Sequence, residues 1–496
     1  QEYLDFGIHG FALSRFSGCW VALKAVADTV ESGAVVDVSH DRVQTLLPDF
    51  PVPAGGLNIR WPDPPLAQEQ RLFEHKLYAA VAYARKNGID RLTINSSKAK
   101  VGIITSGKSY LDVCQALKLL GIDDARAEQL GLRVYKVGMV WPLDAEGVRL
   151  FAEGLEEIVV VEEKRHLIEY QLKEELYNWR ADVRPRIVGK FADKGEWTLP
   201  HTDWLFPAIG ELTPSMIARG LAKRILGHVA SGELQVCLAV LEAQEAARSH
   251  YATLMERVPH YCSGCPHNTS TKVPENSRAL AGIGCHYMAK WIYPQTSTFS
   301  QMGGEGVAWI GQSPFTNTAH VFANLGDGTY FHSGILAIRA AVAAKVSITY
   351  KILYNDAVAM TGGQPVDGTL TVPQISRQLA AEGVGRVVVV TDQPEKYLQV
   401  TDLAPDVPVL RRDRMDEVQK ELREFSGVSA IIYDQTCAAE KRRRRKRGKF
   451  PDPARRVVIN EAVCEGCGDC SSKSNCMSVT NVATEFGNKR EIDQSS

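Results

Sequence analysis

VFANLGDGTYFHSGILAIRAAVAAKVSITYKILYNDAVAMTGGQ, residues 321–364, decides how the chain is read. An apolar run leads into the tight turn Gly326-Asp327-Gly328, a helical period follows, and a second apolar run ends in the polar stretch from Asn355 to Gln364. Strand and helix periods that alternate in this way specify a parallel βαβ unit. Such a unit puts both polar turns at one end of the sheet, where open α/β folds bind ligands. Asp327 and Asn355 are 355 − 327 = 28 positions apart. A crossover helix therefore brings both side chains to adjacent strand ends.

One carboxylate and one amide oxygen suit a hard cation such as Mg²⁺, which keeps water and shares itself with substrate phosphates. The glycines let the backbone approach a pyrophosphate and offer it free N–H groups. The bland reading is an ordinary βαβ turn with glycine at a helix start. The spacing nevertheless resembles the thiamine diphosphate motif, GDG followed at a similar distance by Asn. That resemblance implies Mg²⁺ ligation by Asp327, Asn355 and the carbonyl of Ala357, with Gly326, Gly328 and the turn Thr361-Gly362-Gly363-Gln364 beside the cofactor.

The chain has 496 residues, long enough for about three domains. Lys and Arg number 57 against 58 Asp and Glu, so the composition is not that of a nucleic-acid binder. No run of about eighteen apolar residues and no secretory h-region is present, so a soluble cytoplasmic protein without membrane association is expected. Gln1 enters what reads as mid-domain sequence, and the chain is taken as an internal segment of a longer polypeptide.

Eleven cysteines are unevenly used. Cys19, Cys114 and Cys237 stand singly in apolar surroundings, where an inert buried thiol is the default. Clusters such as Cys262-Ser263-Gly264-Cys265 and Cys464, Cys467, Cys470 and Cys476 suggest metal or redox work rather than disulfides. The CxxC pair is compatible with a zinc half-site, a redox pair or a turn at the cofactor, and the last is favoured. Gly284, Cys285 and His286 in GIGCH, and MGGEGVAWIGQ (302–312), are glycine-rich loops fit to line a pocket. The roles of His267, His286, His320 and His332 stay open between structural and catalytic.

In chain order, residues 1 to about 50 read as two helices and the strand GAVVDVS, followed by the connector WPDPPLAQEQ and the helix RLFEHKLYAAVAYARKNG. From Ala99 strands and helices alternate in a Rossmann-like α/β domain. Within it, residues 102–109 (GIITSGKS) match the Walker A pattern, but Ile103 to Thr105 read as strand rather than loop, so Lys108 and the hydroxyls are expected to cap the next helix. Residues 200–258 read as a helical connector, and KRRRRKRGK (441–449) as a solvated basic linker. Cys464-x2-Cys467-x2-Cys470 resembles a bacterial ferredoxin loop, with x5 before Cys476 and Met477 in place of proline, which makes Cys476 the least secure ligand; zinc is the structural alternative.

Taken together, QEYLDFGIHGFALSRFSGCW, YCSGCPHNTST, GIGCHYMA, MGGEGVAWIGQ, NLGDGTYFHSG, NDAVAMTGGQP, YDQTCAAEKRRRRKRG and VCEGCGDC resemble the 2-oxoacid:ferredoxin oxidoreductases, in particular the long bacterial indolepyruvate ferredoxin oxidoreductases. The resemblance implies a multi-domain α/β thiamine-diphosphate fold with parallel sheets and a small ferredoxin-like iron–sulfur segment. Residues 1–75 would end a pyrimidine-binding domain, 90–200 form a transketolase C-terminal-like domain, 201–254 a connector, 255–440 the pyrophosphate-binding domain, and 441–496 the basic linker and a partial 4Fe-4S domain. The implied reaction is oxidative decarboxylation of an aryl 2-oxoacid of indolepyruvate type with coenzyme A, electrons passing to ferredoxin. The acid that activates the cofactor is expected before Gln1, so the segment alone is expected to be nearly inactive; a homo-oligomer is expected. A non-oxidative decarboxylase and a non-catalytic electron-transfer module are the competing readings.

Overall fold

The computed structural model describes residues 1–39, 41–61, 63–192, 204–251, 258–365, 368, 370–474 and 476–495, and divides into two units, 1–255 and 256–496. Pro62 of the expected connector, the linker tail at 252–257 and Asn475 of the cysteine segment lie outside the described residues.

The first unit is built on a five-stranded sheet of β1 (Arg91–Asn95), β2 (Val101–Ser106), β3 (Leu132–Val137), β4 (Glu157–Val161) and β5 (Arg186–Val188), in the order β1-β3-β2-β4-β5. β1 runs antiparallel to β3, and the other pairs are parallel. β2 and β4 are almost wholly buried, as strands covered by helices on both faces must be. The Walker-like residues behave as strand: Ile103 and Ile104 are fully buried in β2, and the helix Gly107–Leu119 starts directly after it. Lys108 does not cap that helix. Its ammonium pairs with Asp112 at 2.9 Å and Glu211 at 3.1 Å, which leaves it no phosphate role. Glu162, at the end of β4, accepts the backbone N–H groups of Leu167, Ile168 and Glu169 and so starts a helix rather than holding a metal.

Three local expectations need correction. Helical spacing in LSRFSGCWVALKAVADTVE (13–31) does not carry the helix past Gly18: it spans Glu2–Ser17 and stops where Gly18 turns left-handed at φ 71°. GAVVDVS forms no strand, and among the described residues no strand pairs with it. The next helix starts inside the supposed connector, at Pro65, whose missing N–H costs nothing in a first turn. The helices Pro214–Leu226 and Gly232–Tyr251 are likewise no mere connector. Ile217, Leu221, Ile225 and Leu241 share one apolar core with Val101, Ile103 and Val159 of the sheet.

The second unit holds a seven-stranded, wholly parallel sheet: β6 (Ala279–Ala281), β7 (Thr296–Phe299), β8 (Val321–Gly326), β9 (Ile348–Tyr354), β10 (Arg386–Thr391), β11 (Val409–Arg411) and β12 (Val428–Asp434). Their order is β11-β10-β12-β9-β8-β6-β7. From β6 the chain moves outward to the edge strand β7, returns across β6 to β8, and continues the other way to β9. The crevice between β6 and β8 is thus the switch point where an open α/β sheet takes its ligand. A last hairpin, β13 (Val479–Thr484) and β14 (Gly487–Ile492), stands apart from the large sheet. Among the described residues no helix is long and apolar enough to cross a membrane.

Candidate functional site

β8 and β9 pair in register from Val321↔Ile348 to Gly326↔Leu353, so the turn after β8 and the loop after β9 leave the sheet side by side. The 28-residue spacing therefore does what it promised. Asp327 Oδ2 accepts the N–H of Asn355 at 3.0 Å and of Asp356 at 3.1 Å, and Oδ1 accepts that of Gly328 at 2.9 Å. Burial outweighs these bonds and pushes the Asp327 carboxyl up to about 6. Asn355 is buried, and its Oδ1 has no protein partner. Ala357 is buried beside it. A lone buried amide oxygen next to a carboxylate whose charge is uncompensated fits a hard divalent cation.

The loop closes on itself. Val358 N–H donates to Gln364 O at 2.8 Å, and Thr361 and Gln364 bond through Thr361 Oγ1 to Gln364 Oε1 at 2.9 Å. Gly362 and Gly363 take φ of 117° and 79°, which a side chain would oppose. A cavity of about 280 Å³ lies alongside, lined by Asp327, Phe331, Tyr354, Asp356, Glu440 and Arg444 among others.

GIGCH ends β6 at the same crevice. His286 is buried, neither ring nitrogen has a protein partner, and a Cβ built on Gly326 would lie 3.3 Å from its Nε2. His286 is therefore not a satisfied core histidine. His267 stacks edge-on at 5.7 Å between it and Tyr261 and bonds Ser270, whereas His320 bonds Thr349 at 2.7 Å; both are structural. His332 is exposed and bonds Ser333 at 2.6 Å.

Two residues escaped the sequence reading. Glu305 is buried, accepts Gly303 N–H at 2.7 Å through Oε2, and leaves Oε1 without a partner; burial raises its pKa. Asn324, in β8, is fully buried with neither amide atom bonded. A lone acid inside the glycine-rich MGGEGVAW was the one available signal.

The cysteines also regroup. Burial pushes the Cys265 thiol up to about 12, and the neighbouring thiols of Cys262, Cys437 and Cys285 add to the shift. Cys437, which follows β12, was not connected with the other three from sequence. Gly264, at φ 69°, lets the CxxC turn pack near the helix that begins at Ala438. Among the described residues no group of three or more His, Cys, Asp or Glu side chains reaches metal-holding geometry. That includes Cys464, Cys467, Cys470 and Cys476, whose thiols are not drawn together; iron–sulfur ligation by these four rests on their spacing. Two of them have thiolate-favouring surroundings. Gly466 N–H points to Cys464 Sγ at 3.4 Å and, with Arg490 N–H, lowers its pKa; around Cys476, burial opposes ionisation but Ser263 at 3.1 Å and the Ser478 and Val479 N–H groups outweigh it.

The family model "Indolepyruvate ferredoxin oxidoreductase middle domain" matches residues 90–251, and "Thiamine pyrophosphate enzyme, C-terminal TPP binding domain" matches residues 282–427. The chain resembles the 2-oxoacid:ferredoxin oxidoreductases of indolepyruvate type. It is 27% identical over 402 residues to indolepyruvate oxidoreductase subunit IorA of Thermococcus kodakarensis, covering 77% of this chain and 56% of that protein. To the IorA of Methanothermobacter marburgensis it is 25% identical over 500 residues, covering 97% of this chain and 70% of that one. The chain thus spans a little over half of the first relative's length. A solved 2-oxoglutarate:ferredoxin oxidoreductase from Magnetococcus marinus matches 41% of the chain and 75% of its own at 17% identity and a TM-score of 0.29, too distant to carry an argument. The first match covers the sheet of unit 1 together with both helices once read as a connector. The second covers β7 to β11 and the whole GDG–Asn unit.

The three buried histidines of unit 2 make a pH prediction. Burial holds His267 and His320 near about 4 and His286 near about 3. In the unfolded chain they titrate near about 6.5, so below that pH the unfolded state binds protons that the folded state refuses. Their contribution is intact above about pH 6.5 and is lost as pH falls toward about 4, at up to about 3 kcal/mol for each histidine. The urea midpoint of unit 2 should therefore drop between pH 7 and pH 5; Asp327, whose folded carboxyl takes up its proton near about 6, acts in the opposite direction and offsets part of the drop. A flat midpoint over that range would remove the buried neutral histidines.

Proposed function

We propose that the chain is the thiamine-diphosphate-binding part of an enzyme that oxidatively decarboxylates an aryl 2-oxoacid of indolepyruvate type. Coenzyme A would take the acyl group, and electrons would leave through iron–sulfur centres to ferredoxin. The observation that carries this reading is the set of unpartnered buried polar groups at the carboxyl ends of β6, β8 and β9: His286, Glu305, Asn324 and Asn355. Burying such groups unpaired costs about 1–3 kcal/mol each, and a bound polar cofactor would repay it.

In this reading Asp327, Asn355 and the Ala357 carbonyl would hold Mg²⁺, and the turn Gly326-Asp327-Gly328 would lie beside the diphosphate. Bound thiamine diphosphate supplies a nucleophilic carbon and an electron sink for the loss of CO₂. His286, kept neutral by burial, donates one hydrogen bond without adding charge. Glu305, whose carboxyl burial pushes above its ordinary value, stands in the same crevice. The walls of β6 and β8 keep water from the reacting carbon. Two thiol groups are candidates for electron transfer: Cys262, Cys265, Cys285 and Cys437 on one side, and Cys464, Cys467, Cys470 and Cys476 on the other. Residues 1–75 would complete a pyrimidine domain, 441–496 would carry the ferredoxin-like segment, and a cytoplasmic homo-oligomer would be the working form.

The test is anaerobic reduction of a viologen dye by indolepyruvate, phenylpyruvate and pyruvate, each with and without coenzyme A. It uses this chain reconstituted with thiamine diphosphate, Mg²⁺, iron and sulfide, and in parallel a polypeptide of its relatives' length. Reduction that needs coenzyme A and prefers the aromatic acids is the expected result. CO₂ release without dye reduction would mean a non-oxidative decarboxylase, and failure to bind thiamine diphosphate would overturn the reading.

A further inference from the structure

The arginine run is not a solvated linker. β12 lies between β10 and β9, and its last residue, Asp434, pairs with Tyr354, the last of β9. The chain leaving β12 is therefore delivered to the loop that follows β9. Gln435 N–H donates to Tyr354 O at 3.1 Å and Cys437 N–H to Asn355 O at 3.0 Å, after which the helix Ala438–Lys446 begins. Its side chains reach back over the same loop. Arg444 Nη1 contacts Asp356 Oδ2 at 2.7 Å, its Nη2 donates to Asp356 O at 3.2 Å, and its Nε donates to Glu440 Oε1 at 3.2 Å. Arg443 donates to Gly362 O. Lys441 fixes the helix to Asp392, after β10, at 3.2 Å.

Asp356 sits between Asn355 and Ala357 with φ 59°. That left-handed conformation costs a residue with a Cβ about 1–2 kcal/mol. An isolated exposed ion pair would contribute little. This guanidinium, however, grips both the side chain and the carbonyl of the strained residue, a geometry that lysine cannot reproduce.

We infer that Arg444, assisted by Arg443, is a positioning residue: the helix Ala438–Lys446 braces the loop Asn355–Gln364 in the conformation that presents Asn355 and Ala357 to the cation. This rests on the Mg²⁺–thiamine diphosphate reading above. The brace also ties that loop to the peptide leading into the final cysteine segment.

The experiment is titration of Mg²⁺ into the full chain at fixed thiamine diphosphate, followed by tryptophan fluorescence and calorimetry. The unaltered chain is titrated first, because absence of Mg²⁺-dependent binding there overturns the cofactor reading itself and the brace with it. Given binding, Arg444→Met should weaken Mg²⁺ affinity about tenfold, the size expected from releasing the left-handed strain. The melting temperature of the metal-free protein should stay within about 2 °C. Arg444→Lys should fall between the two. Asp356→Gly in the Arg444→Met background should recover most of the affinity, since glycine takes φ 59° without strain. Unchanged affinity in Arg444→Met, or no recovery with Asp356→Gly, overturns the brace. If Arg444→Met does not fold, Asp356→Ala removes the side-chain half of the contact while keeping the strained Cβ, and unchanged affinity there overturns it equally.

Discussion

Replacing Asp327 by alanine is expected to lower Mg²⁺-dependent thiamine diphosphate affinity by roughly 100-fold or more, beyond what losing an outer partner of a metal ligand costs. The carboxylate has two roles in the geometry described. On the proposed reading it offers an anionic oxygen to the cation, and in the structure it gathers the N–H groups of Gly328, Asn355 and Asp356 into one turn. Alanine removes both, so the cation loses a ligand and the loop loses the hub that orients Asn355. In the metal-free protein the same carboxyl is buried, with a pKa pushed up to about 6, so the cost of burying it offsets much of what its three N–H bonds contribute, and its deletion should cost stability far less than binding. The distinguishing result is thus a large loss in a binding titration beside a much smaller change in the urea midpoint. Asp327→Asn, which keeps an acceptor for the turn but not the charge, should separate the two roles by an intermediate loss. Affinity equal to that of the unaltered chain would end the metal assignment.

Gly282→Ala is expected to be the most destabilising single methyl in the site. A Cβ there would lie 2.3 Å from the backbone oxygen of Asn324, 2.6 Å from His286 Cε1 and 3.2 Å from Glu305 Cγ. The first of these is main chain of β8, which cannot swing aside as a side chain can. β6 must separate from β8, at a cost of about 3 kcal/mol, the upper range for overpacking. Gly328→Ala is the control, because its nearest neighbour would be Val358 Cγ2 at an ordinary 3.9 Å. Urea midpoints of the two variants should differ by most of the expected cost. If they are equal, the close approach of GIGCH to β8 is wrong, and with it the placement of His286 and Glu305 at the crevice.

Much of this was legible without coordinates because it is local. The periods of 321–364 specify strand, helix and strand, and the register of β8 on β9 brings Asp327 to Asn355 as the spacing required. The false Walker match was also separable from sequence, since three apolar or β-branched residues in its variable positions belong to a strand. Errors arose where a local signal lacked a partner. GAVVDVS has strand composition but no paired strand among the described residues, and the helices at 214–251 looked like a connector because amphipathicity does not say which surface an apolar face meets.

By itself, then, the chain's order of residues determined the α/β class, the GDG–Asn unit and the cysteine spacings, because periodicity and turn chemistry act over a few tens of residues. Tertiary structure alone decided which distant segments share the crevice. Strand order put β6 beside β8, and so set His286 and Glu305 against the glycine turn. It put β12 beside β9, and so brought Cys437 toward Cys265 and folded an arginine-rich helix back over the loop Asn355–Gln364. A run of arginines looks the same whether water or carboxylates await it, and only the ordering of strands in the sheet settles which it meets.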